Sequence, residues 1–224
     1  TGVRNEAKLM CELAQKHNCL TIVDAVTSLG GIELDVDGWG IDAIYSGSQK
    51  CLSCVPGIAP VSFSDKAVSV IQNRKTKVQS WFLDMNLIVG YWGKGAKRAY
   101  HHTAPVNSMY AMYESLLILK EEGLENAWDR HASGHAKLAQ GLEEIGLELT
   151  VNSDFRLPQL NVVRIPDGVD DAAVRSRLLN DFNLEIGAGL GEHAGKVWRI
   201  GLMGYACKQR NIDHCIASLK TVLK

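Results

Sequence analysis

The sequence predicts an α/β protein: a mainly parallel sheet covered by helices, followed by a small C-terminal α/β domain. Three short apolar runs rich in β-branched residues, at 19–23, 41–45 and 58–63, alternate with helical patterns and loops in the first half of the chain. Two long helical patterns follow, and strands and helices then alternate again to the C-terminus. Such alternation is typical of α/β proteins.

The composition excludes several classes of protein. With 46% apolar and 22% charged residues, the chain fits a soluble globular protein. The net charge of -1 provides no basic surface for nucleic acid, and no apolar run reaches the roughly 18–20 residues that span a bilayer. The six cysteines, in a chain without a secretory signal, predict reduced thiols. We expect a cytoplasmic protein with no nucleic-acid or membrane partner.

The first two strands each lead into a polar residue. Apolar spacing predicts a helix over 5–17, and the run 19–23 then predicts a buried parallel strand that ends at Asp24. The strand at 41–45 leads through Ser-Gly-Ser-Gln to Lys50.

A third strand at 58–63 precedes a helix, which we expect Asp65 to cap and which extends to about Arg74. The stretch 81–105 is predicted to be irregular and is too long for a plain connection, which indicates a functional or interface segment. It contains the aromatic residues Trp81, Phe82, Tyr91, Trp92 and Tyr100.

The second half predicts a separate small domain. One long helix runs from Pro105 to about Glu122, and a second ends at Gly146. Beyond it we expect strands at 147–151, 160–165, 184–186 and 196–202 and helices at 170–181 and 208–223. We therefore divide the chain into residues 1–122, the C-terminal part of a large domain, and residues 123–224, the small domain.

Asp24 and Lys50 form a candidate site because ligands of open α/β sheets sit at the carboxyl ends of the strands. A lysine amine can form a Schiff base with an aldehyde cofactor, and a carboxylate opposite a pyridine nitrogen keeps that nitrogen protonated. Each residue alone is also explained without a ligand, Asp24 as the cap of the next turn and Lys50 as a solvated side chain.

Four segments carry a family resemblance: VDAVTSLGG at 23–31, DAIYSGSQK at 42–50, YHHTAPV at 100–106 and KVWRIGLMG at 196–204. In this order they resemble the alanine–glyoxylate and serine–pyruvate aminotransferases, which belong to the class V branch of the fold-type-I pyridoxal-phosphate enzymes. The resemblance implies that fold, pyridoxal 5'-phosphate as cofactor, and transfer of an amino group from alanine or serine to glyoxylate or pyruvate.

The resemblance also assigns roles to residues near the cofactor. It implies that Lys50 forms the Schiff base and moves the proton of the substrate Cα, and that Asp24 pairs with the pyridinium nitrogen. Val26 would pack on one face of the ring, and Gln49 would bind the cofactor phosphate.

Further residues concern the partner subunit and the substrate. By resemblance, Tyr100 and Thr103 reach across a homodimer interface to the neighbour's phosphate, and Arg199 grips the α-carboxylate of the substrate. Their ordinary alternatives are loop residues for the first two and a paired strand arginine for the third. A planar guanidinium suits bidentate binding of a carboxylate.

In the family, the glycine-rich phosphate loop and the aromatic residue on the other ring face precede the segment where this sequence starts. Thr1-Gly2-Val3 resembles the end of a family motif. We therefore expect an N-terminally truncated piece with part of the cofactor-binding residues. An organellar targeting peptide would have been lost with the missing part, so organellar targeting stays open as well.

Three other motifs in the sequence do not indicate a metal or phosphate site. Cys51-Leu52-Ser53-Cys54 lacks a second half-site, so we expect no metal, although a low-pKa thiol beside Lys50 is possible. The glycine-rich run at 187–196 fails the P-loop spacing and leads into a strand. His131 and His135 lack the glutamate of the zinc-binding HExxH motif and are interpreted as core or surface residues.

Two alternatives remain. A cysteine desulfurase usually has histidine before the Schiff-base lysine, where this chain has Gln49, and it needs a mobile cysteine, for which Cys207 is a poor match. The other alternative is an inactive fragment that only dimerises or misfolds.

Overall fold

The computed structural model of the protein describes residues 1–92 and 99–224, with Trp92 described by its backbone alone. The helices are α1 (Ala7–Lys16), α2 (Asp65–Gln72), α3 (Met85–Trp92), α4 (Val106–Glu122), α5 (Leu124–Glu144), α6 (Asp171–Phe182) and α7 (Gln209–Val222). The strands are β1 (Ile22–Asp24), β2 (Ala43–Tyr45), β3 (Val61–Phe63), β4 (Leu160–Arg164), β5 (Gly187–Ala188) and β6 (Val197–Gly201).

The first sheet has the order β1-β2-β3. β1 and β2 are parallel, with Asp24 opposite Tyr45, and β3 runs antiparallel to β2. The carboxyl ends of β1 and β2 therefore lie side by side at one edge of the sheet.

Strand β1 is not buried on both faces, so that prediction is wrong. Val23 packs with Cys11 and Ile44, whereas Ile22 is 77% exposed because successive side chains alternate between the faces of a strand. The strand also begins at Ile22 rather than at Cys19. An apolar run in the sequence cannot tell whether one or both faces are covered.

The second sheet is antiparallel, with the order β4-β6-β5, and it carries the main hydrophobic core. The fully buried members of this core, with no exposed surface, are Leu138, Leu142, Val163, Leu178, Trp198 and Leu219. They come from α5, α6, α7 and the two longest strands, as the periodic patterns predict.

Two predicted strands of this half differ from the structure. Residues 147–151 contain only an isolated bridge, between Leu149 and Val163, and the strand predicted at 184–186 lies instead at Gly187–Ala188. In both places, pairing with a neighbouring strand fixes the position, and this pairing cannot be inferred from a local apolar run.

The starts of two helices show how side chains select their boundaries. Ser64, not Asp65, caps α2, because its hydroxyl oxygen accepts a hydrogen bond from the backbone N–H of Ala67. Asp65 is the first helical residue, where a negative charge favours the helix N-terminus. The Asp170 carboxylate caps α6 in the same manner.

The prediction that 81–105 is irregular is wrong for part of its length, because α3 occupies Met85–Trp92. Residues 93–98 of that stretch lie outside the described residues. The Asp84 carboxylate accepts a hydrogen bond from the backbone of Asn86 at the start of α3. Several aromatic rings of the stretch do pack together, and Trp81 stacks on His101 with centroids 4.0 Å apart.

The N-terminal residues pair with the second half of the chain. Val3 forms an isolated antiparallel bridge with Arg156, and the carbonyl of Gly2 accepts a hydrogen bond from Leu157 N–H at 2.9 Å. Within residues 1–92 and 99–224, no helix has the length and apolar character needed to cross a membrane.

Candidate active site

Asp24 lies at the edge of the first sheet and accepts two hydrogen bonds, one on each carboxylate oxygen. The backbone N–H of Val26 donates to Oδ1 at 2.9 Å, and the phenol of Tyr45 donates to Oδ2 at 2.8 Å. This hydrogen bond to the carboxylate raises the pKa of Tyr45, because ionising the phenol would remove the donor. Sequence reasoning missed Tyr45, although the register of β1 and β2 makes it the direct neighbour of Asp24.

The Lys50 turn, defined as residues 47–54, follows β2 and is fixed by its own hydrogen bonds. The backbone N–H groups of Ser53 and Cys54 donate to the carbonyls of Lys50 and Ser48, each at 3.0 Å. The fully buried hydroxyl of Ser48 donates to the carbonyl of Val55 at 2.7 Å. The Lys50 side chain is half-buried and forms no ion pair within the described part of the chain.

Val26 and Gln49 meet beside Gly47. A Cβ atom added to Gly47 would lie 3.0 Å from the Gln49 Oε1 atom and 3.5 Å from the Val26 Cγ1 atom. The structure thus brings Asp24, Val26 and Gln49 to one edge of the sheet, next to the Lys50 turn.

Arg199 lies in β6 of the second sheet. Its Nε donates to the carbonyl of Ala188 at 2.7 Å, and its Nη2 atom would lie 3.4 Å from a Cβ atom added to Gly187. No carboxylate of the described residues forms an ion pair with the guanidinium. One edge of the guanidinium is therefore anchored to β5, and its outer nitrogens can bind an anion.

A junction connects the Lys50 turn to the segment that follows β6. The backbone N–H of Tyr205 donates to Ser53 Oγ at 2.8 Å, and that of Gly204 donates to His131 Nε2 at 2.9 Å. Arg130 donates to the carbonyl of Gly204 at 2.7 Å. We call this set of contacts the 53–204 junction, and its members were not identified as site residues from the sequence.

Cys51 is not an activated thiol. Burial raises its pKa to about 12, and its Sγ donates to the carbonyl of Thr27, so Cys51 does not provide the low-pKa thiol beside Lys50 that the sequence left possible. Within the described ranges, no three His, Cys, Asp or Glu side chains are grouped to hold a metal ion.

Tyr100 and Thr103 lie together at the surface. The Tyr100 hydroxyl and Thr103 Oγ1 are 2.6 Å apart and share a hydrogen bond, and both side chains are exposed. The adjacent His101 is buried, and its Nδ1 is 2.8 Å from Nδ1 of His102. Within the described part of the chain, no side-chain hydrogen bond joins the Tyr100–Thr103 pair to Asp24, Val26 or Gln49.

Asp42, in the segment before Lys50, connects neighbouring elements of the first sheet through hydrogen bonds to its carboxylate. Its carboxylate accepts hydrogen bonds from the backbone of Thr21 at 3.1 Å and from the Ser64 hydroxyl at 2.9 Å, and it is buried. It thereby joins β1 and β2 to the start of α2.

The sequence of this chain is similar to those of known aminotransferases. The Aminotransferase class-V family matches residues 1–214. An alanine–glyoxylate aminotransferase of Rattus norvegicus is 42% identical over the whole chain, and the (S)-ureidoglycine–glyoxylate transaminase of Bacillus subtilis is 36% identical. The chain spans about half the length of the curated relatives it matches, 55% and 58% for these two.

Solved structures of aminotransferases also have the fold of this chain. The crystal structure of an alanine–glyoxylate aminotransferase from Nostoc sp. superposes with a TM-score of 0.96 at 49% identity, covering 100% of this chain and 59% of that one. The fold is that of the fold-type-I aminotransferases, as the sequence predicts. Within that class, the chain belongs to the class-V aminotransferase family.

Proposed function

We propose that this chain carries the lysine-bearing half of a pyridoxal-phosphate-dependent aminotransferase that transfers an amino group from alanine or serine to glyoxylate or pyruvate. The observation that carries the proposal is that the Lys50 turn follows the strand beside Asp24, with Gln49 of that turn next to Val26. The names of the rat and Nostoc relatives support alanine and glyoxylate as the substrate pair.

The residues present fit the cofactor. The space beside Gly47, which a side chain there would fill, leaves Val26 and Gln49 accessible to a ring and a phosphate. Asp24 supplies a carboxylate for a protonated ring nitrogen, and Lys50 supplies the amine for covalent attachment. When bound, pyridoxal phosphate withdraws the electrons left on the substrate Cα.

Lys50 and Arg199 act on different groups of the substrate, the Cα proton and the α-carboxylate. Lys50 Nζ would accept the proton from the substrate Cα and deliver it to the C4′ carbon of the cofactor, which is general acid–base catalysis by an amine. Arg199 binds the α-carboxylate through its outer nitrogens, because its Nε is already held by Ala188. The two groups come from residues 1–122 and 123–224, which we propose as the two domains.

We propose a homodimer, with Tyr100 and Thr103 reaching the neighbour's cofactor phosphate. Both side chains are exposed, as a contact with a partner requires, and α4 exposes apolar residues at helical spacing: Met109, Tyr113 and Leu116. Sedimentation velocity tests this proposal, and a chain that stays monomeric at high concentration would overturn it. The cytoplasm remains our expected compartment.

The experiment that tests the function maps the modified lysine. The purified chain is incubated with pyridoxal phosphate, reduced with borohydride and digested for mass spectrometry. We expect the pyridoxyl group on Lys50, its loss in Lys50→Arg, and its retention in the control Lys66→Arg. A folded chain labelled elsewhere, or not at all, would overturn the proposal.

Turnover then separates the remaining alternatives. Lys50-labelled protein that converts alanine and glyoxylate supports the aminotransferase, and labelled protein without turnover supports the inactive fragment. Sulfide release from L-cysteine would indicate a desulfurase. The structure provides a physical argument against the last outcome, because Cys207 is 1% exposed and its thiol donates to the carbonyl of Arg130.

A further inference from the structure

The carboxylate of Asp24 is held from two sides by groups of different origin. The N–H of Val26 is a backbone donor and would be present whatever side chain stood at position 26. The second donor, the phenol of Tyr45, depends on one side chain on the neighbouring strand. With one donor on each oxygen, the carboxylate cannot rotate about its Cβ–Cγ bond without breaking a hydrogen bond.

Tyr45 is itself fixed in place. It is the register partner of Asp24, and its own carbonyl accepts a hydrogen bond from Ala25 N–H at 2.9 Å. Directly opposed side chains on one face of a sheet lie within contact distance, so the phenol needs no unusual backbone to reach Oδ2. At 39% exposure, it lies at the rim of the proposed cofactor site rather than in the core.

We propose that Tyr45 is a positioning residue, which holds the Asp24 carboxylate in one orientation for the ring nitrogen of the cofactor. The inference rests on the proposed function. Each carboxylate oxygen has two lone pairs, so one on Oδ2 remains for the ligand.

The first test requires no cofactor. Tyrosine labelled with 13C at Cζ is titrated by NMR in the wild-type chain, with Tyr45→Phe used to assign the resonance. We expect the pKa of Tyr45 to lie above that of a free tyrosine and to fall in Asp24→Asn, which removes the charge. A pKa that Asp24→Asn does not change would overturn the inference and leave the proposed function intact.

The second test compares two ligands that differ at the ring nitrogen. Tyr45→Phe is expected to weaken binding of pyridoxal phosphate by about 3- to 12-fold, equivalent to one hydrogen bond. Binding of 1-deazapyridoxal phosphate, which has a C–H in place of that nitrogen, is expected to stay the same. Thr221→Val is the control, because it removes an exposed hydroxyl that only bonds to Ala217 within α7, and it should change neither.

The outcomes separate the two proposals. Equal weakening of both ligands would mean that Tyr45 only maintains the fold, and no weakening of either would mean that Asp24 is positioned without it. Either result overturns the inference while Lys50 labelling still supports the function. A folded wild-type chain without labelling at Lys50 overturns both.

Discussion

His131 and Gly204 are joined by a buried hydrogen bond that determines the protonation of the histidine. The N–H of Gly204 donates to Nε2 at 2.9 Å, and Nδ1 is 2.6 Å from the carbonyl of Ala127. Nε2 must accept and Nδ1 must donate, so the ring is neutral with its proton on Nδ1. A second proton on Nε2 would face the N–H of Gly204 and break the junction.

The first prediction concerns pH. Burial lowers the pKa of His131 and also that of His135. In the unfolded chain the pKa of each imidazole is about 6.5, so below that pH these two side chains bind more protons in the unfolded state than in the folded state. The stabilising contribution of the two neutral histidines should therefore be complete above about pH 6.5. The free energy of unfolding should fall as the pH decreases towards their folded-state pKa values. Urea unfolding at a series of pH values measures it. His131→Gln should flatten this slope, and a variant that keeps the whole slope would contradict the assignment.

The second prediction uses two glycines with nearly the same backbone conformation. Gly204 has φ +54° and Gly191 has φ +55°, but a Cβ atom at 204 would lie 2.7 Å from the carbonyl oxygen of Cys51 and closer still to the Ser53 hydroxyl. Nothing lies within 4 Å of a Cβ atom at 191. Gly191→Ala should cost about 1–2 kcal/mol for the left-handed conformation alone.

Gly204→Ala should cost more than Gly191→Ala, because the added methyl group pushes the Lys50 turn away from the 53–204 junction. Thermal unfolding of both variants gives the difference. Lys50 labelling should also decrease in Gly204→Ala and stay the same in Gly191→Ala. Equal unfolding free energies would show that the contact at position 204 relaxes without cost.

The third prediction compares neighbouring leucines of α6. Leu178 is fully buried in the core of the second sheet, whereas Leu179 is 49% exposed. Leu178→Ala should lower the free energy of unfolding by about 2–5 kcal/mol, through lost burial and the cavity left behind. Leu179→Ala should change it by about 0.5 kcal/mol or less. Urea unfolding of the pair provides the measurement, and similar losses would indicate that α6 is rotated from its described position.

The fourth prediction concerns the guanidinium of Arg130. It binds both carboxylate oxygens of Glu122, with Nη2 to Oε2 at 2.8 Å, and also donates to Gly204. Lysine cannot reproduce this planar fork, so Arg130→Lys should cost about 1–3 kcal/mol. The exposed pair of Arg164 with Glu148 is the control, and Arg164→Lys should cost about 0.5 kcal/mol or less. Equal costs in chemical unfolding would contradict a special role for Arg130.

Much of this arrangement could be predicted from the sequence because its signals are local. The apolar runs that end at Asp24 and lead to Lys50 indicate two neighbouring strands, and in the structure Asp24 ends β1 and the Lys50 turn follows β2. The alternating pattern around Arg199 likewise predicts β6. Residues 124–144 and 209–222 form the helices that their periodicity indicates.

The parts that the sequence did not predict depend on pairing between distant residues. Tyr45 gains its partner from the register of two strands, and Ser53 gains its own from residue 205. Exposure of Ile22 depends on what covers the far face of the sheet. None of these relations leaves a periodic signal in a short window, so local patterns cannot reveal them.

The hydrogen bond between Ser53 and Tyr205 has a consequence for biosynthesis. The two residues are 152 positions apart, so at about 5–20 residues per second a ribosome makes Tyr205 about 8–30 s after Ser53. During that interval the Lys50 turn of the nascent chain lacks the backbone N–H of Tyr205, which donates to Ser53 Oγ in the folded protein. Lys50 therefore acquires its final surroundings only late in translation, when the last strand has been made.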